Sequence, residues 1–264
     1  LLRRVDPVRW EALIRPARRI RVGTELELGG ISGEVLTEPD RGEVVVALAA
    51  ADRDVEAEIA TAGEVPLPPY IHERLADPER YQTVFAKAVG SAAAPTAALH
   101  FTPSLLSEIR AGGVQIAEVD LAVGLDTFRP IDTDSISDHR MHKETWEVPS
   151  ETAAAIAETR ARGGRVVAVG TTVVRTLESA AAGDGLVTAG CGETDLFIRP
   201  GYQLSVVDVM LTNFHAPRTT LIVMIAALLG DRWRAVYEHA LAAEYRFLSF
   251  GDAMMIEIER GETG

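Results

Sequence analysis

The sequence predicts two domains, a small all-β, barrel-like domain at residues 1–65 and an α/β main domain with a mostly parallel sheet at residues 66–264. Three observations support this prediction. Short β-rich runs separated by Gly, Pro and Asp fill the start of the chain. VPLPPYI at 65–71 contains three prolines and predicts an extended connection. Helices then alternate with apolar strands up to the C-terminus.

The predicted small domain consists of four β-rich runs at short spacing, which is typical of a small barrel or sandwich. In order, these runs are LLRRV, RWEALIRP, TELELGGISGEVL and GEVVVALAA. LLRRV has the composition of the middle of a strand and the chain begins with Leu, so we expect a fragment that lacks its natural start.

In the predicted main domain, ERYQTVFAKAV and PSLLSEIRAGG indicate helices and VQIAEVDLAVG at 114–124 indicates a strand. The clearest helix is at 150–164, where Ser150 is placed to cap the start and Gly163 to end it. The remaining runs predict a buried strand, three helices and a last strand, in the order RVVAVG, TVVRTLESAAA, TLIVMIAALLG, RAVYEHALAAEY and AMMIEIE. Such alternation is typical of a mostly parallel sheet covered on both faces.

The composition limits the class of protein. Apolar residues make up 47% of the chain and charged residues 25%, as in ordinary globular proteins. The longest apolar run, at 221–229, is too short to span a bilayer, so we expect no membrane partner. The single cysteine, Cys191, excludes an internal disulfide framework and favours the cytoplasm.

The charge of the chain is unevenly distributed. The net charge of −13 disfavours a nucleic-acid partner, yet residues 1–22 hold seven arginines against two acids. Screening limits each ionic contact to about 8–10 Å at physiological salt, so a local basic face can hold phosphates. Two interpretations stay open: phosphate contacts through Arg15, Arg18 and Arg19, or a solvated strand edge whose arginines prevent aggregation.

RVVAVGTTVVRTLES at 165–179 predicts a strand, a Gly-Thr-Thr turn and a helix. Free N–H groups at the helix start and the hydroxyls of Thr171 and Thr172 predict an anion site. Arg175, one turn further on, is placed to bind a carboxylate or phosphate bidentately. The alternative is a simple helix cap, with Arg175 paired to Glu178 or exposed to solvent.

Two histidines and several charges lie close together in DHRMHKE at 138–144. The spacing of His139 and His142 would suit a metal, but no third ligand is evident in the sequence, so we expect no metal site. We interpret His142 as a proton carrier and Glu144 as a carboxylate that faces a cation. A polar surface loop with ion pairs is the alternative.

Two further segments combine polar and aromatic residues. In TNFHAP at 212–217, Asn213 and His215 either face a ligand or cap the apolar helix that follows. YRFLSFGDAM at 245–254 sets aromatic rings beside polar groups that could hold a base or nucleoside, although such rings also occur in ordinary cores. The candidate contacts there are Tyr245, Arg246, Ser249 and Asp252.

The segment YQTVFAKAVGSAAAPTAALHFT at 81–102 passes from small residues to His-Phe-Thr. Pro95 ends the preceding helix, and a loop can then present His100 and Thr102. In their order along the chain, this segment, HRMHKE, VGTTVVRTLE, TNFHAP and YRFLSFGDAM together resemble one family, the S-adenosylmethionine:tRNA ribosyltransferase-isomerases of queuosine biosynthesis. The resemblance covers nearly the whole chain.

The resemblance implies a transferase and isomerase that modifies tRNA. The family transfers the ribosyl part of S-adenosylmethionine to the aminomethyl group of a 7-deazaguanine at the tRNA wobble position. It isomerises the ribose and gives epoxyqueuosine, adenine and methionine. S-adenosylmethionine and tRNA are therefore the expected substrates, no cofactor is expected to be permanently bound, and we expect a monomer.

This chemistry requires a base for the proton on the 5′-carbon and an acid for the departing adenine. It also requires carboxylates that favour the sulfonium and an anion site for the methionine carboxylate. The expected catalytic residues, with acid and base unassigned among the histidines, are His100, His142, Glu144, His215 and Asp252. The expected substrate contacts are Thr102, His139, Thr171, Thr172, Arg175, Asn213, Tyr245, Arg246 and Ser249. The expected tRNA contacts are Arg15, Arg18 and Arg19.

Several positions depart from the family pattern, and we expect the N-terminal part of the family's α/β domain, about eighty residues, to be missing. Ala122 replaces a histidine, and Asp126 replaces a glycine that would allow close approach. Ala98 replaces a glycine, and Arg218 replaces a small residue. Two alternatives therefore stay open, a divergent paralogue acting on another nucleoside or RNA and a non-catalytic nucleotide- or RNA-binding protein on the same fold.

Overall fold

The structure is a computed structural model that describes residues 1–40, 42–51, 54–68, 70–72, 75–86, 93–121, 131, 133, 135–139, 141 and 143–258. The chain forms two compact units. The first unit comprises Leu1–Ile71 with Ala88–Ala93, and the second comprises His72–Lys87 with Ala94–Gly264. The domain boundary between residues 65 and 66 stays a prediction.

The first unit is built on an antiparallel sheet with the strand order β1-β2-β5-β4-β3. The strands are β1 (Arg3–Arg4), β2 (Arg9–Leu13), β3 (Glu25–Leu28), β4 (Ile31–Val35) and β5 (Glu43–Ala50). Val44, Val46 and Leu48 alternate along β5 and are buried. The strands form within the β-rich runs because side-chain alternation and glycine turns specify hairpins locally.

The expectation of an all-β, barrel-like first domain is wrong. Helix α1 (Val55–Ala62) belongs to the same unit, and its Val55 and Ile59 pack against the buried face of the sheet. In the part of this unit that is described, β1 and β3 lie at opposite edges of the sheet and do not pair with each other. A helix covers one face of an open sheet, and so buries its apolar side chains without closure into a barrel.

The second unit has three small sheets in its described residues, with the strand orders β13-β12-β8, β11-β7-β6 and β10-β9. The strands are β6 (Asp120–Leu121), β7 (Glu144–Val148), β8 (Val167–Val169), β9 (Ala181–Gly183), β10 (Leu186–Val187), β11 (Gly190–Thr194), β12 (Val209–Asn213) and β13 (Ala253–Glu257). Among these described strands only β8 and β12 pair in parallel.

The expected α/β domain with a mostly parallel sheet is therefore wrong. Strand-helix alternation indicates that each strand is buried, but it does not specify which strand lies beside it. Strand β7 pairs antiparallel with β11, and β12 pairs antiparallel with β13. The polar strand β7, ETWEV, thus joins a separate small sheet instead of extending the sheet that contains β8.

The helices of the second unit largely follow the predicted pattern. They are α2 (Pro103–Ala111), α3 (Ser150–Ala161), α4 (Thr171–Ser179), α5 (Thr220–Leu229) and α6 (Trp233–Ala242). Pro149, not Ser150, is the N-cap of α3. The predicted helix at 79–89 is wrong in its described part, which contains a short 3-10 helix at Pro78–Tyr81. No helix in the described ranges is long and apolar enough to cross a membrane.

The amino end of β12 is fixed by buried side chains. Glu178, near the end of α4, accepts hydrogen bonds from the backbone N–H groups of Ser205, Val206 and Val207 at 2.8–3.1 Å. The backbone is therefore held by side-chain hydrogen bonds two residues before β12 begins. Arg160 of α3 also forms an ion pair with Asp208 at 2.7 Å.

Candidate functional site

The carboxyl end of β12 brings several predicted residues to one edge of the β13-β12-β8 sheet. Asn213 ends β12 and pairs with the first residue of β13, so Asp252 lies next to this strand end. Strand β8 is parallel to β12, so α4 begins at the same edge with the buried Thr171 and Thr172. Ligands of α/β proteins commonly bind at the carboxyl ends of parallel strands. We call this edge the strand-end site.

Gly170 makes the turn from β8 into α4. Its φ is 100°, a conformation that glycine adopts at little cost because it has no Cβ. A Cβ on Gly170 would lie 3.7 Å from the Cβ of Ala97, within the 3-10 helix Thr96–His100. The turn therefore brings the start of α4 close to the segment that contains His100.

His100 is linked to the end of β12 by hydrogen bonds through a buried asparagine. The Asn213 side chain is 3% exposed, and its Nδ2 lies 3.0 Å from Nε2 of His100. The hydroxyl of Thr96 donates to Oδ1 of Asn213 at 3.2 Å. The Nδ1 atom of His100 has no hydrogen-bond partner among the residues that the structure describes. We call this chain of contacts the Thr96–Asn213–His100 relay.

Asp252 is an ionised carboxylate beside the relay. Its oxygens accept hydrogen bonds from the backbone N–H of Arg246 at 2.7 Å and from the Arg246 guanidinium at 3.3 Å. These bonds lower the pKa of Asp252, and the positive charges of Arg246 and of protonated His100 lower it further. The N–H of Leu248 donates to the carbonyl of Phe214 at 2.9 Å, which fastens this loop to the residue after β12.

His215 is a neutral imidazole. Its Nε2 lies 3.0 Å from the hydroxyl of Thr212, and its backbone N–H donates to the hydroxyl of Tyr237 at 3.0 Å. Burial lowers the pKa of His215 to about 4 and raises the pKa of Tyr237 to about 12. At neutral pH His215 is therefore unprotonated, so one ring nitrogen can accept a hydrogen bond and the other carries the single ring hydrogen.

Arg175 and Glu144 form a buried ion pair between α4 and β7. Their side chains are 7% and 9% exposed, and Nη1 of Arg175 contacts a carboxylate oxygen of Glu144. Nε of Arg175 donates to the carbonyl of Leu196 at 3.0 Å. Nη2 is buried and has no hydrogen-bond partner within the described ranges. Glu178, the alternative partner, instead binds backbone N–H groups.

The other predicted contacts are dispersed. Thr102 caps α2 by accepting from the N–H of Leu105 at 3.2 Å. The ring of His139 packs edge-on against Phe197, with centroids 5.5 Å apart. Ser249 is buried, whereas Tyr245 is 45% exposed. Of the departures from the family pattern, Ala98 is buried and Arg218 has a φ of 59°. Outside the described residues lie His142, Ala122 and Asp126.

The three predicted tRNA contacts lie in the first unit and are exposed. In the described part of the chain, no side-chain hydrogen bond or ion pair involves Arg15, Arg18 or Arg19. Among the described residues of this unit, three other arginines form ion pairs, Arg3 with Glu11, Arg4 with Glu56 and Arg9 with Asp6. The side chains of Arg15, Arg18 and Arg19 thus have positive charge that no described acid neutralises.

Sequence reasoning missed three residues of this region. Thr96 directly follows Pro95 in the segment that contains His100, and a hydroxyl at that point was the available signal. Tyr237 gave no signal in the sequence, because an aromatic ring on an amphipathic helix is typical of a hydrophobic core. Gly251 was missed too, although a Cβ there would overlap the carbonyl oxygens of Arg246 and Phe247. It keeps the Asp252 loop tight.

No group of three or more His, Cys, Asp and Glu side chains is placed to bind a metal ion in the residues that the structure describes. The expectation that the protein has no metal site stays a prediction, because His142 is outside those residues.

Comparison with known proteins identifies the family. A family model described as "Queuosine biosynthesis protein" matches residues 1–256. The chain is 51% identical over 259 residues to the S-adenosylmethionine:tRNA ribosyltransferase-isomerase of Pelotomaculum thermopropionicum, covering 97% of this chain and 76% of the relative. The protein of the same name from Caulobacter vibrioides is 46% identical over 271 residues, covering 97% of this chain and 74% of the relative.

A solved structure is similar as well. The crystal structure of S-adenosylmethionine tRNA ribosyltransferase from Thermotoga maritima matches with a TM-score of 0.51 and 33% identity, covering 97% of this chain and 73% of that one. The sequence and structural matches extend over nearly the whole chain and agree with one another. The chain belongs to the queuosine biosynthesis protein family.

Proposed function

We propose that this protein is an S-adenosylmethionine:tRNA ribosyltransferase-isomerase, an enzyme that takes the ribosyl group of S-adenosylmethionine and modifies tRNA with it. The observation that supports this most directly is identity of 46–51% over 97% of the chain to relatives of that name. At such identity over nearly the full length, a change of reaction class is disfavoured. The divergent paralogue and the non-catalytic binding protein are accordingly not favoured.

The finer statement of the reaction follows from the family resemblance. The acceptor is the aminomethyl group of a 7-deazaguanine at the tRNA wobble position, and the products are epoxyqueuosine-tRNA, adenine and methionine. S-adenosylmethionine is a substrate and not a resident cofactor. The cytoplasm is the proposed compartment, supported by the single cysteine in the sequence and by the tRNA substrate. The monomeric state stays a prediction.

The strand-end site is the proposed place for S-adenosylmethionine. Asp252 is ionised and half-exposed, so its carboxylate is a suitable neighbour for the sulfonium cation. Thr171 and Thr172 begin α4, whose first backbone N–H groups have no side-chain cap and are donors for the methionine carboxylate. His100 and Asn213 meet at the same edge and are available to the nucleoside part.

Arg175 has a second proposed contribution to the anion site. Its Nη2 is a buried donor without a described acceptor, and leaving such a group unpaired costs about 1–3 kcal/mol. A bound carboxylate would satisfy this donor. Glu144 already compensates part of the Arg175 charge. The catalytic roles expected for Glu144 and His142 stay predictions.

The reaction is tested by incubating the protein with S-adenosylmethionine and tRNA that contains the aminomethyl-deazaguanine. Adenine release and the mass of the modified nucleoside are followed together. The assay is run on the 264-residue chain and on the same chain lengthened to match its relatives. We expect stoichiometric adenine and epoxyqueuosine. Binding of S-adenosylmethionine without adenine release in either protein would contradict the proposal.

The basic face formed by Arg15, Arg18 and Arg19 is the proposed tRNA contact. Each unpaired arginine that binds a phosphate contributes about 0.7–0.9 to the slope of log affinity against log salt. Changing all three residues to Glu should therefore weaken tRNA binding at low salt and flatten that slope by about 2–3.

A matched control separates local contacts from overall charge. Changing Arg3, Arg4 and Arg9 to Glu alters the net charge by the same amount at arginines that already have acidic partners. We expect a smaller loss of tRNA affinity and a nearly unchanged slope for that control. Equal losses for the two variants would mean that the basic face is not a specific contact.

A further inference from the structure

We infer that Thr96 and Asn213 position His100 as a hydrogen-bond donor, by fixing the neutral imidazole in the tautomer with its hydrogen on Nδ1. The consequence for the reaction rests on the proposed function, whereas the tautomer itself does not. Thr96 is thereby a positioning residue that the resemblance did not indicate.

The direction of each hydrogen bond follows from the chemistry of the groups. A hydroxyl donates readily to an amide oxygen, and Oδ1 of Asn213 lies 3.2 Å from Oγ1 of Thr96. The other end of the amide is an NH₂ group that can only donate, and it lies 3.0 Å from Nε2 of His100. Nε2 must then be an acceptor, so the single hydrogen of the neutral ring is on Nδ1.

The relay is anchored at the end of β12 in the β13-β12-β8 sheet. Asn213 is the last residue of β12, where it pairs with Ala253, and its side chain is 3% exposed. A buried amide that lost either partner would leave a polar group unsatisfied, which disfavours other rotamers. Thr96 is the first and His100 the last residue of one short 3-10 helix. The side-chain amide of Asn213 therefore contacts both ends of that helix.

This arrangement leaves one ring atom free for a ligand. Nδ1 of His100 has no hydrogen-bond partner in the described residues, although the ring is only half-exposed. A positioned N–H group with no acceptor of its own suits an acceptor on the substrate, such as a ring nitrogen of adenine or a ribose oxygen. His100 stabilises charge that develops there without giving up its proton.

The inference also divides the work among the predicted catalytic residues. The lone pair of Nε2 is engaged by Asn213 and Nδ1 is protonated, so neutral His100 is not the base that removes the 5′-carbon proton. That role falls to another group of the site. The nearby Asp252 carboxylate is negatively charged and interacts electrostatically with His100.

The tautomer is measured first, because it needs no substrate. Long-range ¹H–¹⁵N correlation spectra of protein labelled with ¹⁵N-histidine distinguish a protonated Nδ1 from a protonated Nε2. The His100 signal is identified by its loss in His100→Gln. At a pH where His100 is neutral, we expect Nδ1 to be protonated. A ring hydrogen on Nε2 would mean that the Asn213 amide has the opposite orientation, and would overturn the inference.

Asn213→Asp reverses the polarity of the relay at nearly constant shape. A carboxylate can only accept, so the ring hydrogen of His100 should move to Nε2 in the same spectra. We expect kcat for adenine release to fall about 10²-fold, the size seen when one positioned donor is lost. An unchanged tautomer in the folded variant would contradict the inference.

Thr96 provides the milder and more discriminating pair of variants. Thr96→Val removes the hydroxyl at constant shape and should lower kcat about tenfold while KM for S-adenosylmethionine changes little. Thr96→Ser keeps the hydroxyl and should recover most of that loss. Equal kcat values for the two variants would overturn the positioning role. Absence of adenine release from the unaltered protein would instead contradict the proposed function and leave the tautomer result standing.

Discussion

Breaking the buried pair of Arg175 and Glu144 should strongly destabilise the second unit. Arg175→Met and Glu144→Leu each remove one member of an ion pair whose two side chains are only 7% and 9% exposed. Removing one partner of such a pair costs about 3–5 kcal/mol of the free energy of unfolding. For a unit of this size that corresponds to a decrease in Tm of about 6–20 °C.

The double variant Arg175→Met with Glu144→Leu should behave differently. Both charges are gone and apolar groups of similar volume replace them, a change that is often neutral or stabilising. We therefore expect the double variant to recover most of the stability that either single variant loses. The remaining deficit should be about 1 kcal/mol, because the carbonyl of Leu196 loses the hydrogen bond from Nε of Arg175.

Urea unfolding followed by tryptophan fluorescence measures the free energy of unfolding of the unaltered protein, the two single variants and the double variant. Calorimetric titration of S-adenosylmethionine into the folded double variant tests the anion site. A decrease in the free energy of unfolding of less than about 1 kcal/mol in both single variants would refute the reasoning, because solvent-exposed ion pairs contribute only about that much. Binding of S-adenosylmethionine at the affinity of the unaltered protein would remove Arg175 from the proposed anion site. A tenfold weaker affinity in a stable double variant would support it.

Two further changes test the strand-end site. The free energy of unfolding should fall by at most about 3 kcal/mol between pH 6.5 and pH 4, because unfolded His215 gains a proton near pH 6.5 whereas the folded residue has a pKa of about 4. In urea titrations over that range, His215→Gln should flatten this pH dependence. The same pH dependence in His215→Gln as in the unaltered protein would contradict the prediction. Gly251→Ala should lower the free energy of unfolding by about 1–3 kcal/mol and weaken binding of S-adenosylmethionine, because the new Cβ overlaps the carbonyl oxygens of Arg246 and Phe247 and displaces Asp252. An unchanged free energy of unfolding and an unchanged affinity would show that the loop accommodates the Cβ.

Local signals in the sequence predicted several individual helices and strands, but not the fold class. Turn residues between β-rich runs indicated strands of the first unit, and Gly163, with a φ of 68°, follows the end of α3 as expected. The pairing of strands was not predictable in this way, because it depends on contacts distant in sequence. Strand β7 pairs with β11 more than forty residues further along the chain, and nothing in ETWEV specifies that partner.

The site shows the same division. Segment motifs indicated Asn213, His100 and Asp252, and the structure brings all three to one edge of a sheet. Motifs did not indicate which polar groups satisfy each other. Arg175 pairs with Glu144 and Thr102 caps a helix, because burial and helix ends compete with a ligand for the same donors and acceptors.

The carboxylate of Glu178 has a mechanical consequence for the site. Helix α4 spans nine residues, about 13.5 Å at 1.5 Å per residue. It starts beside the carboxyl end of β12 and is bound, at Glu178, to the segment that precedes the amino end of that strand. Strand β12 and helix α4 are thus connected near both of their ends. We expect a ligand bound at Thr171 to slow hydrogen exchange at the amides of Val206 and Val207, which lie beyond the opposite end of β12.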